Sequence, residues 1–293
     1  MANKDIIDEY HIRKIEVKKN HLSIMLENHN GMIEGILKDN IDLFANSYQV
    51  NDKIKIQGRL RKRKDEQFLD IIYVGKSIDE EDSPMYEDYR IRFQNLCNQI
   101  KDKEYKKIID SIFVDEILDL FLIYPAAQNR HHNYPHGLLQ HTVETTEVAI
   151  YLCDYYKEMD RDLIITGGLL HDIGKLKCYD IKDLGDKKMI IKTNWEHLLG
   201  HLSISALFAS KIIPNDIGPK KMMLLYHMIL SSHGKREWGS PEECKTKESY
   251  ILAKADNISS VINGLNHAKY VRGWTQDKYK NRNWCKIGEI DDE

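Results

Sequence analysis

Thr166-Gly-Gly-Leu-Leu-His171-Asp172-Ile-Gly-Lys175 ends an apolar run on an adjacent imidazole and carboxylate. Neighbouring side chains on an α-helix point roughly 100° apart, so His171 and Asp172 share a task only if the helix ends there and turns. A divalent cation is one of the few partners that uses both groups, because imidazole and carboxylate are both ligands for borderline metals. The stretch predicts a helical domain with a metal at a helix end.

Helical spacing extends to both sides of it. Tyr89, Phe93, Leu96 and Ile100 recur at three- and four-residue intervals, as do Ile108, Ile109, Ile112 and Phe113, and Ile117, Leu118, Phe121 and Leu122. Residues 89–293 read as an all-α domain, with loops expected near 124–136, 178–194, 213–219 and 234–246. Polar groups interrupt its apolar helices at His141, His201, His233 and Asp256. A buried, unpaired Asp256 would be costly, and a metal removes that cost. Any one of these histidines alone reads more simply as a hydrogen-bonded core or surface residue, and His11, His21, His29 and His267 are read that way.

Upstream the texture is short, alternating and β-branched. His11-Ile-Arg-Lys-Ile-Glu-Val and His21-Leu-Ser-Ile-Met-Leu-Glu read as strands, Asn28-His-Asn-Gly31 as a turn, and Met32-Ile-Glu-Gly-Ile-Leu37 as the return. A short helix is expected within 40–48, then strands at 53–61 and 67–74. Five strands in this order look like an OB-fold barrel over residues 1–78, joined by an acidic linker at 79–88. Arg59, Arg61, Lys62 and Arg63 form a basic run expected around a hairpin turn. They track phosphates there, beside Tyr10, Tyr48, Phe68 or Tyr73 as stacking faces, or they are a solvated turn over core aromatics.

The 293 residues suffice for both domains and a real core. A net charge of −3 supplies no global basic field, so nucleic-acid binding needs a local patch. Five scattered cysteines without a CxxC argue against a disulfide framework or a cysteine zinc site, and for a reducing compartment. With no apolar signal core and no stretch of membrane-spanning length, the expectation is a cytoplasmic protein with no membrane partner.

In order, His141, His171-Asp172 and Asp256 resemble the HD-domain superfamily of metal-dependent phosphohydrolases, all-α bundles that hold one or two divalent cations. His201 and His233 resemble the extended set of its two-metal members. With the barrel, His131-His-Asn-Tyr-Pro-His-Gly-Leu-Leu-Gln-His141, Ser232-His-Gly-Lys235, Gly239-Ser-Pro-Glu242, Gly273-Trp-Thr-Gln-Asp277 and Asn281-Arg282, the chain is similar to the YhaM-type 3′→5′ exoribonucleases over nearly its whole length. It departs at Ser231-Ser232-His233-Gly234, where that family usually reads Ser-His-His-Gly. It departs again at Gln140, where the family usually has Glu.

The resemblance implies release of nucleoside monophosphates from a free 3′ end of single-stranded RNA, with single-stranded DNA as a further substrate, the barrel feeding the strand, and a homo-oligomer. His141, His171 and Asp256 would hold one ion, His201 and His233 the other, and Asp172 would bridge them. Histidine and aspartate ligands favour manganese, iron, cobalt or nickel over magnesium, and the resemblance selects manganese. Lys175, one turn past Asp172, is read as the holder of the scissile phosphate or as a helix-end surface lysine. Arg130, His132, Lys235 and Arg236 contact the nucleotide or serve as loop structure. Two other functions fit the same residues: a phosphohydrolase of small nucleotides or cyclic dinucleotides, and a non-catalytic RNA-binding protein with a structural metal. Deleting residues 1–78 is expected to weaken binding of long RNA more than hydrolysis of a short model diester. Equal losses in the two assays would remove the separate strand-binding role.

Overall fold

The computed structural model describes residues 5–38, 41, 44, 48–63, 66–75, 86–128, 131–183, 188–268, 274–277 and 282–286. Arg130, linker residues 79–85, the side chain of Tyr73, most of the expected helix within 40–48, Gly273 and Asn281 lie outside them. Two compact units emerge, one of residues 1–77, 182–189 and 267–293, the other of residues 78–181 and 190–266.

The first unit contains a closed five-stranded barrel: β1 (Asp5–Val17), β2 (Leu22–Asn28), β3 (Gly31–Leu37), β4 (Lys53–Arg63) and β5 (Glu66–Gly75). The strand order is β1-β2-β3-β5-β4, with β4 returning to β1. Only the β3–β5 pairing is parallel among these strands, as expected of a small Greek-key barrel. The turn after β2 works because Asn28 pairs with Gly31, whose φ of 113° suits glycine alone. Alternation supplies the core: Leu22, Ile24 and Leu26 point inward from β2, and Ile54 and Ile56 from β4.

Two barrel expectations are corrected. The basic run is not a turn: Arg59, Arg61, Lys62 and Arg63 all lie on β4, which together with β5 extends far enough to leave only residues 64–65 between them. Arg61 lies 3.8 Å from Asp70, and Arg63 3.7 Å from Glu34. Such exposed pairs contribute at most about 1 kcal/mol each and leave the strand face cationic only in part. Tyr10 and Tyr48 are buried with Phe44 in the barrel core and offer no stacking face, while Phe68 is half-buried.

The second unit is helical: α1 (Tyr86–Gln99), α2 (Lys103–Ile112), α3 (Asp115–Ile123), α4 (Gly137–Tyr156), α5 (Arg161–Leu170), α6 (Lys175–Cys178), α7 (Asn194–Ile212), α8 (Pro219–Leu230) and α9 (Lys247–Asn266). Asp102 caps α2 by accepting from the amides of Glu104 and Tyr105, and Asp160 caps α5 by accepting from that of Leu163. From Leu163 to Leu170 every residue of α5 is buried, as suits a helix packed all round, here by α1, α2, α4, α8 and α9. Two two-stranded sheets stand outside the helical spacing: β6 (Tyr179–Asp183) with β7 (Lys188–Lys192), which straddles the boundary of the units, and β8 (Trp274–Asp277) with β9 (Arg282–Cys285), which belongs to the first unit. Strands of four or five residues carry too little periodicity to read from sequence. No described helix is long and apolar enough to cross a membrane.

The helix end at 171–175 is held by close approach. A Cβ on Gly174 would sit 2.4 Å from Ser205 N and 2.6 Å from His201 O, both backbone atoms of α7. Ser205 Oγ accepts from the Gly174 amide at 2.9 Å. Gly174→Ala should therefore cost about 1–3 kcal/mol of stability in chemical denaturation of the full chain, because backbone cannot step aside as a side chain can. An unchanged midpoint would mean that α6 and α7 are not in tight contact.

Candidate metal centre

The chain tightens where α5 stops. Backbone amides of Ile173, Lys175, Leu176 and Lys177 each bond the carbonyl three residues back, the pattern of a 3₁₀ turn. The tighter winding follows directly on His171, which caps α5, and both His171 and Asp172 meet the same ligand cluster. Gly200, at φ 71°, breaks α7 immediately before His201 and lets that side chain enter the same region.

Asp172 is 2% exposed and has one oxygen on each of two histidine sets. Oδ2 lies 3.3 Å from His141 Nε2 and 3.4 Å from His171 Nε2, while Oδ1 lies 3.6 Å from His201 Nε2. His141 Nε2 is also 3.1 Å from Asp256 Oδ1 and 3.4 Å from His171 Nε2. On the other side His201 Nε2 is 3.2 Å from His233 Nε2. Ligands about 2.1 Å from one cation stand about 3.0 Å apart at right angles, close to these spacings.

The donor set fits a cation on its own chemistry. Asp172 Oδ1 is buried without a hydrogen-bond partner, an expensive arrangement for a carboxylate unless a cation meets it. Ligand atoms of His141, His171 and Asp256 lie within 4.8 Å of one another. A second cluster among the described residues, His131, His132 and His141, is less suited, because both nitrogens of His132 are engaged, Nε2 with Glu144 and Nδ1 with His131.

Three of the four candidate ligand imidazoles are hydrogen-bonded from behind, as metal-binding histidines usually are, and His201 has a carboxylate nearby. His171 Nδ1 donates to Gly168 O at 2.8 Å, and His233 Nδ1 donates to Trp238 O at 3.0 Å. His201 Nδ1 faces Glu196 Oε2 at 3.5 Å, and His141 Nδ1 meets Ser259 Oγ at 3.1 Å. Burial raises the Asp172 carboxyl, but the Lys175 ammonium and the His171 imidazole outweigh it and hold the group well below the usual carboxylate range. Burial lowers His141, yet hydrogen bonds to Asp172 and Asp256 carry it up to about 9. A proton and a metal thus compete for His141 Nε2.

The structure brings His141, His171, Asp172, His201, His233 and Asp256 together. The histidine kept at the Ser232-His233 departure is the one that meets His201. Ser232 is fully buried, and its hydroxyl has no hydrogen-bond partner. Lys175 is not a surface lysine: it is 4% exposed and donates to Asp172 Oδ2 at 2.6 Å. His132 has no exposed surface to offer a nucleotide and is held by Glu144. Lys235 and Arg236 are exposed, paired with Glu237 and Glu242, and Lys235 lies over the Trp238 ring. Sequence reasoning missed Glu144, Glu196, Ser259 and His131. Glu196 lies in the first turn of α7, five residues before His201, and gave no local signal, whereas Glu144, at i+3 from His141, was within reach of helical spacing.

Residues 138–260 match the HD domain family. The chain is 29% identical over 279 residues to the 3′-5′ exoribonuclease YhaM of Bacillus subtilis, covering 89% of this chain and 87% of that protein. It is 31% identical over 271 residues to YhaM of Bacillus velezensis, covering 87% and 84%. Over 149 residues it is 38% identical to YhaM of Bacillus licheniformis, covering 50% and 46%. Manganese at about 100 times its Kd should stabilise the protein by about 2.7 kcal/mol in thermal melts, and Asp172→Ala should erase that gain. A wild-type melting temperature indifferent to manganese would remove the metal assignment.

Proposed function

Because the chain belongs to the family of YhaM 3′-5′ exoribonucleases and is a metal-dependent 3′-5′ exoribonuclease, we propose that it shortens single-stranded RNA, and single-stranded DNA as well, to nucleoside monophosphates. The observation that carries the proposal is Asp172, with Oδ2 on the His141–His171 side and Oδ1 on the His201 side. When bound, two divalent cations, manganese in this proposal, acidify a water and offset charge on the phosphate and its leaving alkoxide.

The protein's own groups prepare that chemistry. His141, His171 and Asp256 hold one side, His201 and His233 the other, and Asp172 spans both. Lys175 keeps Asp172 ionised and presents its ammonium beside the carboxylate, where a phosphate oxygen meets positive charge. Lys235 and Arg236, next to His233, contact the nucleotide. Residues 1–78 form the strand-binding domain and use Arg59, Arg61, Lys62 and Arg63 along β4; residues 89–293 form the hydrolase domain. The protein works in the cytoplasm as a homo-oligomer.

The test is incubation of manganese-loaded protein with 5′-labelled single-stranded RNA and DNA, cyclic dinucleotides and dNTPs. A ladder that shortens from the 3′ end with monophosphate products is expected. Hydrolysis of the small molecules alone, or RNA binding without turnover under any divalent metal, would overturn the proposal. Asp172→Ala should lower turnover by roughly 10³-fold or more, as loss of several kcal/mol of metal-derived stabilisation requires.

A further inference from the structure

Glu144 stands three residues past His141 on α4 and is not among the metal ligands. Its carboxylate accepts four hydrogen bonds. Oε1 takes them from Tyr89 Oη at 2.8 Å and Gln140 Nε2 at 2.7 Å. Oε2 takes them from His132 Nε2 at 3.3 Å and Ser259 Oγ at 3.0 Å. Burial raises this carboxyl, and the His132 and Gln140 hydrogen bonds outweigh it and hold it at about 2. An ionised carboxylate can only accept, so each of these four groups must donate.

That requirement propagates. Ser259 has one hydroxyl proton, and it points to Glu144. The Ser259 oxygen, 3.1 Å from His141 Nδ1, is then left to accept, so Nδ1 keeps its proton and the proton that a cation displaces is the one on Nε2. His141 Nε2, which faces Asp172 and Asp256, is the nitrogen left for a ligand bond. The same logic runs along a second arm: His132 donates Nε2–H to Glu144, so its Nδ1 accepts from His131 Nδ1 at 3.3 Å. Gln140 protects the arrangement. It donates to Glu144 and accepts from Tyr134 Oη at 2.7 Å, which itself accepts from Asn263 Nδ2. A second carboxylate at position 140 would need a shared proton to come as close.

We propose that Glu144 is a positioning residue for the metal centre: through Ser259 it fixes the His141 tautomer that leaves Nε2 open to a divalent cation. This rests on the divalent-metal reading above and adds a residue that never touches metal or substrate.

The test is manganese titration of the full-length protein by calorimetry, with melting temperatures recorded separately, for Ser259→Ala, Glu144→Gln, the double variant and Ser259→Thr. Outer partners of this kind are worth about 10–100-fold in metal affinity. Ser259→Ala and Glu144→Gln should each raise the manganese Kd by that factor, and the double variant should lose no more than the worse single, because both act along one path. Ser259→Thr, which keeps the hydroxyl, should bind as wild type. Folded Ser259→Ala with wild-type affinity overturns the inference, as do single losses that multiply in the double variant. If Glu144→Gln fails to fold, the Ser259 pair still decides. Wild-type protein that binds no manganese overturns both this inference and the metal-dependent reading. Wild-type binding with unaffected variants overturns this inference alone.

Discussion

A buried carboxylate at the end of an apolar helix is the constraint on which the helical unit depends. Asp172 follows eight consecutive buried residues of α5 and is itself almost without solvent. Such a charge is tolerable only if neighbouring groups neutralise it. Lys175 does so on Oδ2, with His141 and His171 on the same oxygen, while Oδ1 is left facing His201. One demand therefore draws in four elements: α5 for the pair, α6 for the lysine, α4 for His141 and α7 for His201.

Behind the ligands lie two further ionised carboxylates, Glu144 and Glu196, each held at about 2 against burial by hydrogen-bonded partners, His132 and His201 first among them. The candidate ligands thus sit between negative charge that would face a cation and negative charge behind the imidazoles. Among the described residues, Asp172 Oδ1 is the one buried ligand-type oxygen between the two histidine sets that has no hydrogen-bond partner, and it is where an outside cation fits. Gly174 makes the layering possible, because only its missing side chain lets α6 lie on the α7 backbone beside His201.

The barrel follows a different logic, and its sequence was easier to read for strands than for surface. Period-two alternation names the inward residues, and Asn28-His-Asn-Gly31 names a turn. Alternation does not say where a charged strand ends, because Arg and Lys in a turn and on an exposed strand look alike. Hence the basic run reads as a hairpin tip but lies along β4, with Asp70 on the neighbouring β5 and Glu34 on β3, one strand beyond, beside two of its arginines. Aromatic rings were equally ambiguous: Tyr10 and Tyr48 fill the core because a closed barrel needs bulk inside.

By itself the sequence named a barrel followed by a helical domain, most of the barrel's inward faces, and six candidate residues, His141, His171, Asp172, His201, His233 and Asp256. It could do so because local periodicity and the chemistry of ligand types are properties of the chain. Tertiary structure alone decided that Asp172 turns its two oxygens to different histidine sets, that Lys175 is buried and bonded to Asp172, and that His132 lies inside rather than at a surface. It also supplied Glu144, Ser259 and Glu196, which reach the ligand histidines from other turns and other helices. Hydrogen-bond direction and close approach depend on which elements meet in space, and no spacing along a chain records that.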